Sequence, residues 1–448
     1  MKNITFLPLL ILLFLFACQK EPVDYSEAAH NPEFMHASVK KLTDVIVYDI
    51  FSPPVASRIY AYPSIAAYEA LINEYPEYQS LSGQLKGLSP TPKPEPNQEY
   101  CYPLASLQAY ITEGKKLIFS EEKIDAYAQQ LYGKFKAMGV PKDVMDRSIA
   151  YGDQVAKHIG DWADQDNYHQ TRTFPKFTIN DDSYRWQPTP PDYMDAIEPH
   201  WNKIRTFVLD SAHQFVPKPP TPFDMEENST FYKEVLEVYE TGKKLTEEQE
   251  SIAQFWDCNP YVSHHQGHVM FATKKITPGG HWIGITAIAS RKAHADLMKT
   301  TQAYAFVTIA LADAFISCWD EKYRSELIRP ETVINKYIDE DWVPVLQTPP
   351  FPEYTSGHSV ISASAATALT ELYGEPFEFQ DTTEVEYGLP PRNFSSFFEA
   401  SEEAAISRMY GGIHYMPACI NGIDQGKKVG RFVVDNLSFK KSVVSDSR

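Results

Sequence analysis

The chain has 448 residues, of which 43% are hydrophobic and 13% aromatic, so its composition is that of a folded globular protein and not of a disordered one. Acidic residues outnumber basic ones by 59 to 41, for a net charge of −18, which argues against a nucleic-acid partner or an anionic membrane surface. A cluster of basic side chains in so acidic a chain therefore indicates a local need for positive charge.

The first twenty residues, MKNITFLPLLILLFLFACQK, have the pattern of an export signal. Their apolar run ends at Ala17 and is shorter than a comfortable membrane span. Cys18 follows a stretch that resembles a bacterial lipobox, but Phe16 is not the usual small or branched residue, so ordinary signal-peptidase cleavage is the alternative. We predict a lipoprotein-type signal peptide over residues 1–17 and a tether over 18–38. The predicted location is the periplasm, or the outer membrane through a lipid on Cys18, of a Gram-negative bacterium.

Residues 39–438 are predicted to form a single α-helical domain. Apolar residues recur with helical spacing at residues 39–75, with a Ser-Pro-Pro break, at 120–140, and at about 282–327. Strand-like alternation is scarce, and long prolyl loops separate the helical patterns. The sequence therefore predicts an all-α fold, a large helical bundle whose long loops cover one end. Beyond the N-terminal signal we expect no segment of transmembrane length.

Helix ends are marked by local signals. Ser120 and Gly139 are the expected N-cap and stop of one amphipathic helix. Thr246 and Gln249 fit a capping box that opens another.

Four further cysteines are scattered along the chain without a CxxC pair or zinc spacing: Cys101, Cys258, Cys318 and Cys419. Export would permit disulfides, but we expect buried thiols.

A basic pair stands in the stretch CWDEKYRSELIRPETV. Lys322 and Arg329 are seven residues apart, about two helical turns, so both side chains could point the same way. Arg329 precedes Pro330, where a helix is expected to end. Taken alone, the pair is better explained by a solvated basic surface.

The stretch PPFPEYTSGHSVISASAATAL brings Ser356, Gly357 and His358 to the start of a helix rich in small residues. Free N–H groups and the helix dipole favour an anion there, and glycine permits close approach. The alternative, which the segment taken alone favours, is a serine N-cap followed by an incidental histidine.

A third cluster begins at Arg408, where a helix nears its end. Gly411 and Gly412 allow the chain to turn back, so that His414 and Arg408 could face one point. Together with the two previous clusters, these residues supply three cations, two imidazoles, a hydroxyl and helix-end amides. That set of donors suits a tetrahedral oxyanion.

The order and spacing of the three clusters resemble the type 2 phosphatidic acid phosphatase superfamily, which includes the vanadium-dependent haloperoxidases. The resemblance covers at least residues 319–424. It implies vanadate as cofactor, His414 as the residue that bonds vanadium, His358 as an acid–base group and Lys322 as a catalytic residue that polarises bound peroxide. It also implies a set of residues that hold the vanadate oxygens: Lys322, Arg329, Ser356, Gly357, His358 and Arg408.

Several further stretches are similar to the bacterial iodoperoxidase branch of these enzymes. They are the surroundings of Trp319 and Phe351 and the segment NPYVSHHQGHVMFATKKITPGGHWIGI. The resemblance implies hydrogen peroxide, a halide (iodide before bromide) and a small organic acceptor as partners. Trp319, Phe351, Tyr261 and Asp257 are candidates for the halide site or its surroundings, with Asp257 as a possible partner of a buried Arg408. Such aromatic residues are more often ordinary core, and only their nearness to the three clusters makes them candidates.

Two other functions stay open at this stage. An exported acid phosphatase would use His414 as nucleophile, although Ala418 stands where phosphatases commonly carry the aspartate that orients this histidine. A lipoprotein that binds an oxyanion without turnover is the second alternative. His264 and His268, at i and i+4, could hold a divalent metal, but loop packing beside the site is the favoured interpretation.

Overall fold

The computed structural model describes residues 24–266 and 268–441, and helices dominate this part of the chain. In chain order the helices are α1 (Ser26–Ala29), α2 (Glu33–Asp49), α3 (Pro53–Leu71), α4 (Tyr102–Lys116), α5 (Glu121–Ala137), α6 (Lys142–Ala163), α7 (Tyr168–Thr171), α8 (Thr230–Lys243), α9 (Glu247–Phe255), α10 (Pro278–Lys292), α11 (Leu297–Ser325), α12 (Pro330–Tyr337), α13 (Gly357–Tyr373), α14 (Phe397–Tyr410) and α15 (Met416–Asn436). Two antiparallel pairs complete the fold: β1 (Val262–Gln266) with β2 (Val269–Thr273), and β3 (Phe379–Asp381) with β4 (Arg392–Phe394). The predicted all-α helical bundle is confirmed.

The long helix α11 joins the two halves of the core. It packs on α3 from one side, where α3, α4 and α6 contact one another, and on α13 and α15 from the other. Among the described residues α11 is the one helix long and apolar enough to cross a membrane, and its most apolar stretch is wholly buried in the bundle. The expectation that no such segment exists was therefore wrong, because a central core helix meets the same criteria of length and composition.

The N-terminal helices revise the predicted tether. The part of residues 18–38 that the structure describes is largely helical, and α2 begins at Glu33 with Met35, His36 and Ser38 already buried. These side chains pack because the apolar helical pattern starts several residues before Val39. The predicted signal peptide and Cys18 lie outside the described residues.

Local signals placed most helix ends well. Both reciprocal hydrogen bonds of the Thr246 capping box are present. The predicted helix at 120–140 is α5, with Gly139 in a left-handed conformation after its end, but the Ser120 hydroxyl bonds Asp49 instead of capping the helix. The four cysteines between residues 101 and 419 are buried and unpaired, as expected.

The prediction that Lys322 and Arg329 lie two turns apart on the same helix was wrong. α11 ends at Ser325, Glu326 is left-handed, and Arg329 caps the start of α12 with Pro330 in its first turn. A proline after an extended residue begins a helix as readily as it follows one, because the first turn needs no N–H from it. The two cations therefore stand on different elements.

Close contact between α13 and α15 fixes the start of α13. A Cβ on Gly426 would lie 2.1 Å from the carbonyl oxygen of Val360, so only glycine permits this approach of the two backbones. One turn earlier, the amide of Ser356 donates to the carbonyl of Ala418 over 3.2 Å. The Ser-Gly-His segment is thus held against the helix that follows His414.

The histidine pair proposed for a divalent metal lies in the β1–β2 hairpin and not on a helix. Nε2 of His264 is 2.9 Å from the Thr273 hydroxyl, and its ring stacks on Phe271 at 5.1 Å. His268 occupies the turn and is exposed. The i, i+4 argument therefore fails here, because that spacing aligns side chains only on a helix.

Candidate active site

Three loops meet in front of the first turn of α13. They comprise residues 256–261 after α9, residues 344–356 before α13, and residues 411–415 between α14 and α15. The last two are joined by the amide of Leu346, which donates to the carbonyl of Gly411 over 3.0 Å. Gly412 takes a φ of +78° with Trp342 and Pro344 packed against it, and this turn directs His414 inward.

His414 is buried and held at both ring nitrogens. Nδ1 is 2.8 Å from Oε1 of Glu353, and Nε2 is 3.1 Å from Nη1 of Arg329. A carboxylate accepts the Nδ1 proton and a guanidinium can only donate, so the neutral ring carries its proton on Nδ1 and its lone pair on Nε2. Burial, with Arg329 as the next cause, holds the pKa of His414 well below its ordinary value.

Glu353 is the functional residue that the sequence analysis missed. Its Oε1 also accepts from the amide of Tyr415 over 3.0 Å, so it positions the backbone beside His414 as well as the ring. Burial raises the pKa of Glu353 to about 7, against the opposing effect of Arg329 and Lys322. The one available signal was an acidic residue inside the apolar stretch FPEYTSGH.

The orienting carboxylate alters the argument drawn from Ala418. Ala418 does lack a carboxylate, but Glu353 reaches the same nitrogen from sixty-one positions earlier in the chain. Ala418 therefore does not weigh against phosphoryl transfer, because His414 is oriented by another element.

Arg329 is fully buried beside this histidine. Nη1 donates to the carbonyl of Ile413 over 2.8 Å and Nε donates to that of Phe351 over 2.9 Å. Nη2 is buried and has no hydrogen-bond partner among the described residues. The guanidinium of Arg329 can therefore donate a further hydrogen bond, from Nη2, to an anion bound near Nε2 of His414.

Lys322 lies behind the site and does not line the cavity. Its ammonium donates to the carbonyls of Pro352, Glu353 and Thr355 over 3.0, 3.1 and 2.6 Å. Burial lowers the pKa of Lys322 to about 7. The lysine therefore stabilises the turn that carries Glu353 and leads into Ser356.

The first turn of α13 confirms the predicted position of the Ser-Gly-His segment. The Ser356 hydroxyl accepts from the amide of Ser359 over 3.3 Å as an N-cap. Gly357 follows in the first turn, where backbone N–H groups have no acceptor within the helix. His358 is partly exposed to the cavity, its Nε2 has no described partner, and the Trp256 carbonyl bonds the ring through its other nitrogen. Burial, and next Arg408, hold the pKa of His358 well below its ordinary value.

Arg408 is buried at the end of α14 and bonds the neighbouring loop. It donates from Nη2 to the carbonyl of Trp256 over 2.8 Å, and from Nε to the Ser407 hydroxyl over 3.0 Å. The possible ion pair between Arg408 and Asp257 does not form in the part of the chain that the structure describes. Asp257 instead pairs with Lys275 at 2.9 Å. Burial lowers the pKa of Arg408. The charge of Asp257 is the largest effect in the opposite direction.

These loops enclose a cavity of about 190 Å³. Most of the residues predicted for the site line it: Asp257, Tyr261, Trp319, Phe351, Gly357, His358, Arg408 and His414. Lys322, Arg329 and Ser356 are not in its wall. The rest of the wall is mainly apolar, and the sequence analysis had missed Met194, Ile197, Phe315 and Gln347.

The donor set fits a tetrahedral oxyanion such as vanadate. The site contains three buried basic side chains: Lys322, Arg329 and Arg408. Glu353 is the carboxylate in contact with this group, through its backbone bond to Lys322 and its side-chain bond to His414. The unpartnered nitrogens of Arg329 and His358 are the groups that an anion would satisfy. The lone pair on Nε2 of His414 could bond the central atom.

Comparison with known proteins gave one family model and several solved structures. The model described as the VCPO second helical-bundle domain matches residues 302–441. The crystal structure of a bacterial vanadium-dependent iodoperoxidase, titled as the first of its kind, is 55% identical with a TM-score of 0.87, over 92% of this chain and 98% of that one. No curated protein sequence matched the chain.

Two structures of a bacterial vanadium-dependent chloroperoxidase share the fold. Both are 16% identical and cover 87% of this chain. The holo-type has a TM-score of 0.63 over 94% of its own chain, and the apo-type 0.65 over 96%.

Proposed function

The chain belongs to the vanadium-dependent haloperoxidase family and oxidises halide with hydrogen peroxide at a vanadate cofactor, and we propose that iodide is the halide it uses. Support for iodide comes from the 55% identity to an iodoperoxidase along nearly the whole chain. The acid phosphatase and the non-catalytic oxyanion-binding lipoprotein are not favoured by these matches.

We propose that His414 binds vanadium through Nε2, and the hydrogen bond between Glu353 and Nδ1 is the observation that carries this assignment. A ring that keeps its proton on Nδ1 presents an unprotonated Nε2 to a metal. When bound, vanadate supplies a Lewis-acid centre that activates peroxide towards halide.

The remaining residues divide into those that neutralise charge and one that moves a proton. Arg329 and Arg408 would pair with the vanadate oxygens, and Lys322 would add positive charge from behind them. The Ser356 hydroxyl and the Gly357 amide would supply neutral donors at the helix N-terminus.

His358 would accept a proton at Nε2 from incoming peroxide and return it later. Its low pKa leaves the ring neutral at neutral pH, and the bond to the Trp256 carbonyl leaves Nε2 as the basic nitrogen.

The aromatic part of the wall fits a large, weakly hydrated halide. Trp319 and Phe351 pack on each other at 5.0 Å, and Phe351 also lies 5.0 Å from the Lys322 ammonium. Apolar surroundings exclude water, and a halide that gives up its hydration readily loses little on entering them. Iodide meets this condition better than chloride.

The test uses metal-free protein reconstituted with orthovanadate and assayed with peroxide and either iodide or bromide. We expect vanadate-dependent oxidation with a higher kcat/KM for iodide. His414→Ala should abolish calorimetric vanadate binding, because it removes the proposed bond to the metal. Phosphate-ester hydrolysis without halide oxidation at saturating vanadate would contradict the function, and a higher kcat/KM for bromide would contradict the choice of iodide alone.

We also propose that the chain is exported and lipid-anchored at Cys18. This rests on the apolar N-terminal run and the lipobox-like stretch, both outside the described residues. Mass spectrometry of the mature N-terminus should detect a lipidated cysteine, and an unmodified N-terminus elsewhere would contradict the anchor.

A further inference from the structure

A second group of metal-ligating side chains lies beside the cavity and has no part in the reaction above. It consists of Cys258, His281 and Glu384, which come from three separate segments and are all buried. One ligand atom from each residue lies within 4.8 Å of the other two. The group therefore brings a thiol, an imidazole and a carboxylate to one point.

Two of the three distances between ligand atoms match the edges of a tetrahedral site. Nδ1 of His281 is 3.4 Å from Sγ of Cys258 and 3.2 Å from Oε1 of Glu384. Zinc bonds are about 2.0–2.1 Å long to nitrogen or oxygen and about 2.3 Å to sulfur. At tetrahedral angles, these bonds place nitrogen about 3.5 Å from sulfur and about 3.3 Å from oxygen. The side chains are already close to the geometry that a bound ion requires.

The far side of the His281 ring has the arrangement usual for a metal ligand. Nε2 is 2.7 Å from Oδ2 of Asp381, and the other oxygen of this carboxylate accepts from the amide and hydroxyl of Thr383 over 2.9 and 2.6 Å. A carboxylate that is itself fixed holds the proton on Nε2 and leaves the Nδ1 lone pair towards Cys258 and Glu384.

Glu384 gives an independent sign that a partner belongs here. It is 1% exposed, and neither of its carboxylate oxygens makes a hydrogen bond within the described residues. A buried carboxylate is costly unless it is paired with a cation or bound to a metal, and Nδ1 of His281 at 3.2 Å offers no proton in the tautomer described above. A metal bonded to one of these oxygens would compensate the buried charge, and a water molecule would supply the fourth ligand of a tetrahedral site.

We propose that Cys258, His281 and Glu384 bind one divalent metal ion of the zinc type in a buried site, with water as the fourth ligand. Mixed sulfur, nitrogen and oxygen ligands in a buried tetrahedral arrangement favour zinc over magnesium or calcium. Cys258 binds as the thiolate and releases its proton to solvent.

The ion ties the loop after α9 to α10 and to the segment before β4. Trp256 in this loop stacks on His281 at 4.4 Å and accepts the Arg408 hydrogen bond at its carbonyl. The same carbonyl bonds the ring of His358. The site therefore stabilises the loop that positions two active-site residues, and Cys258 itself also lines the cavity.

The first test measures zinc in the purified full chain by elemental analysis after dialysis against zinc-containing and then zinc-free buffer. We expect one zinc per chain in the wild type and in Cys101→Ser, a control that removes another buried thiol. Cys258→Ser and Glu384→Gln should each lose the ion, with vanadium content measured in the same samples as a separate readout.

The second test replaces zinc by Co²⁺ in the wild-type protein, so that it holds even if a variant fails to fold. Four-coordinate cobalt with a thiolate ligand gives intense visible bands and a sulfur-to-metal charge-transfer band in the near ultraviolet. Loss of both on adding a chelator, with lower thermal stability, is the expected result. Wild-type protein that takes up neither ion stoichiometrically would overturn the proposal and would indicate a protonated His281 between the two carboxylates. Full metal content in Cys258→Ser would overturn it too.

Discussion

At the scale of single residues, the site depends on a carboxylate that belongs to none of the three sequence clusters. Glu353 fixes the tautomer of His414 and holds the amide of Tyr415, while its own backbone carbonyl accepts from Lys322. One residue thus connects the two groups, because its side chain bonds the proposed metal ligand and its backbone carbonyl accepts from the lysine. A carboxylate that hydrogen-bonds a metal-ligating histidine raises the basicity of the ligand and fixes its orientation.

Glu353→Gln should weaken vanadate binding by about 10- to 100-fold, the usual effect of losing such a partner. The amide keeps the size of the side chain but removes the charge that favours the Nδ1–H tautomer. Calorimetric titration of the metal-free protein with orthovanadate measures the change. The control is Glu331→Gln, another buried carboxyl that lies near Arg329 without contacting His414. Equal affinities in the wild type and Glu353→Gln would show that the carboxylate does not position the ligand.

Lys322 adds a proton-linked contribution to anion binding. Burial lowers its pKa to about 7, so it is largely neutral at pH 8 in the anion-free protein. A bound oxyanion favours the charged ammonium and raises this pKa again. Binding at pH 8 should therefore take up a proton, and affinity should fall as pH rises above 7.

Tungstate is a suitable probe because it does not itself titrate between pH 7 and 9. If binding takes up a proton at pH 8, the buffer must supply it. The measured binding enthalpy should therefore differ between two buffers of unlike ionisation enthalpy, by an amount that corresponds to uptake of up to one proton. Lys322→Met should take up less. The same binding enthalpy in both buffers would mean that Lys322 is already charged before the anion binds.

At the scale of elements, the packing of α4 on α6 buries a carboxyl without full compensation. The carboxyl of Glu113 on α4 packs against Gly160 of α6, where an added Cβ would lie 2.6 Å from Oε2. Oε1 of Glu113 has no hydrogen-bond partner among the described residues. Burial raises the pKa of Glu113 to about 8, with Lys116 opposing. The folded state therefore holds this proton more tightly than the unfolded chain does.

Glu113→Gln should stabilise the protein at alkaline pH relative to the wild type. In the unfolded chain the group titrates near 4.5, so wild-type stability is lost as pH rises from there through 8. At about 1.4 kcal/mol per pKa unit, the relative gain of the variant between pH 5 and 9 is at most about 5 kcal/mol.

Urea denaturation at pH 5 and pH 9 measures this gain as a difference in the free energy of unfolding. Glu122→Gln, an exposed carboxyl on α5, is the control and should show no pH-dependent difference. A Glu113→Gln effect of equal size at both pH values would show that the carboxyl is ionised in the folded protein.

At the scale of the whole molecule, an acidic chain surrounds a small, mainly apolar cavity whose polar lining includes Arg408, His358 and His414, with Asp257 as its one carboxylate among the described residues. The cavity holds about 190 Å³, below the roughly 300–1,000 Å³ of pockets that enclose a drug-sized ligand. We expect halide and peroxide to occupy this space beside vanadate, which leaves too little volume for an aromatic acceptor in addition. The organic acceptor should therefore react with hypohalous acid after its release.

Competition between phenol and a tyrosine-containing peptide checks this expectation. The ratio of iodinated products from the enzyme should equal the ratio obtained when hypoiodous acid is generated chemically in the same buffer. Replacing Tyr261 by phenylalanine should leave the ratio unchanged while it alters the rate of iodide oxidation. A ratio that favours one acceptor only with the enzyme would place that acceptor inside the cavity.

The sequence by itself determined those features that depend on neighbouring residues in the chain. The Thr246 capping box, the Ser356 N-cap and the turn at Gly412 are satisfied within a few positions, and each is present in the structure. The helical periodicity of apolar residues predicted the bundle, and the resemblance of the three clusters to a known family indicated most of the site residues that line the cavity. Local hydrogen bonds and helical periodicity are encoded over short distances, so a single sequence suffices to predict them.

Only the tertiary structure decided the contacts between distant segments. Glu353 meets His414, the carbonyl of Trp256 meets Arg408, and Cys258 meets His281. Each pair depends on how helices pack and where loops turn, as the break between α11 and α12 showed when it separated Lys322 from Arg329. Buried polar groups must find partners wherever packing places them, so their partners follow from the assembled core and not from positions along the chain.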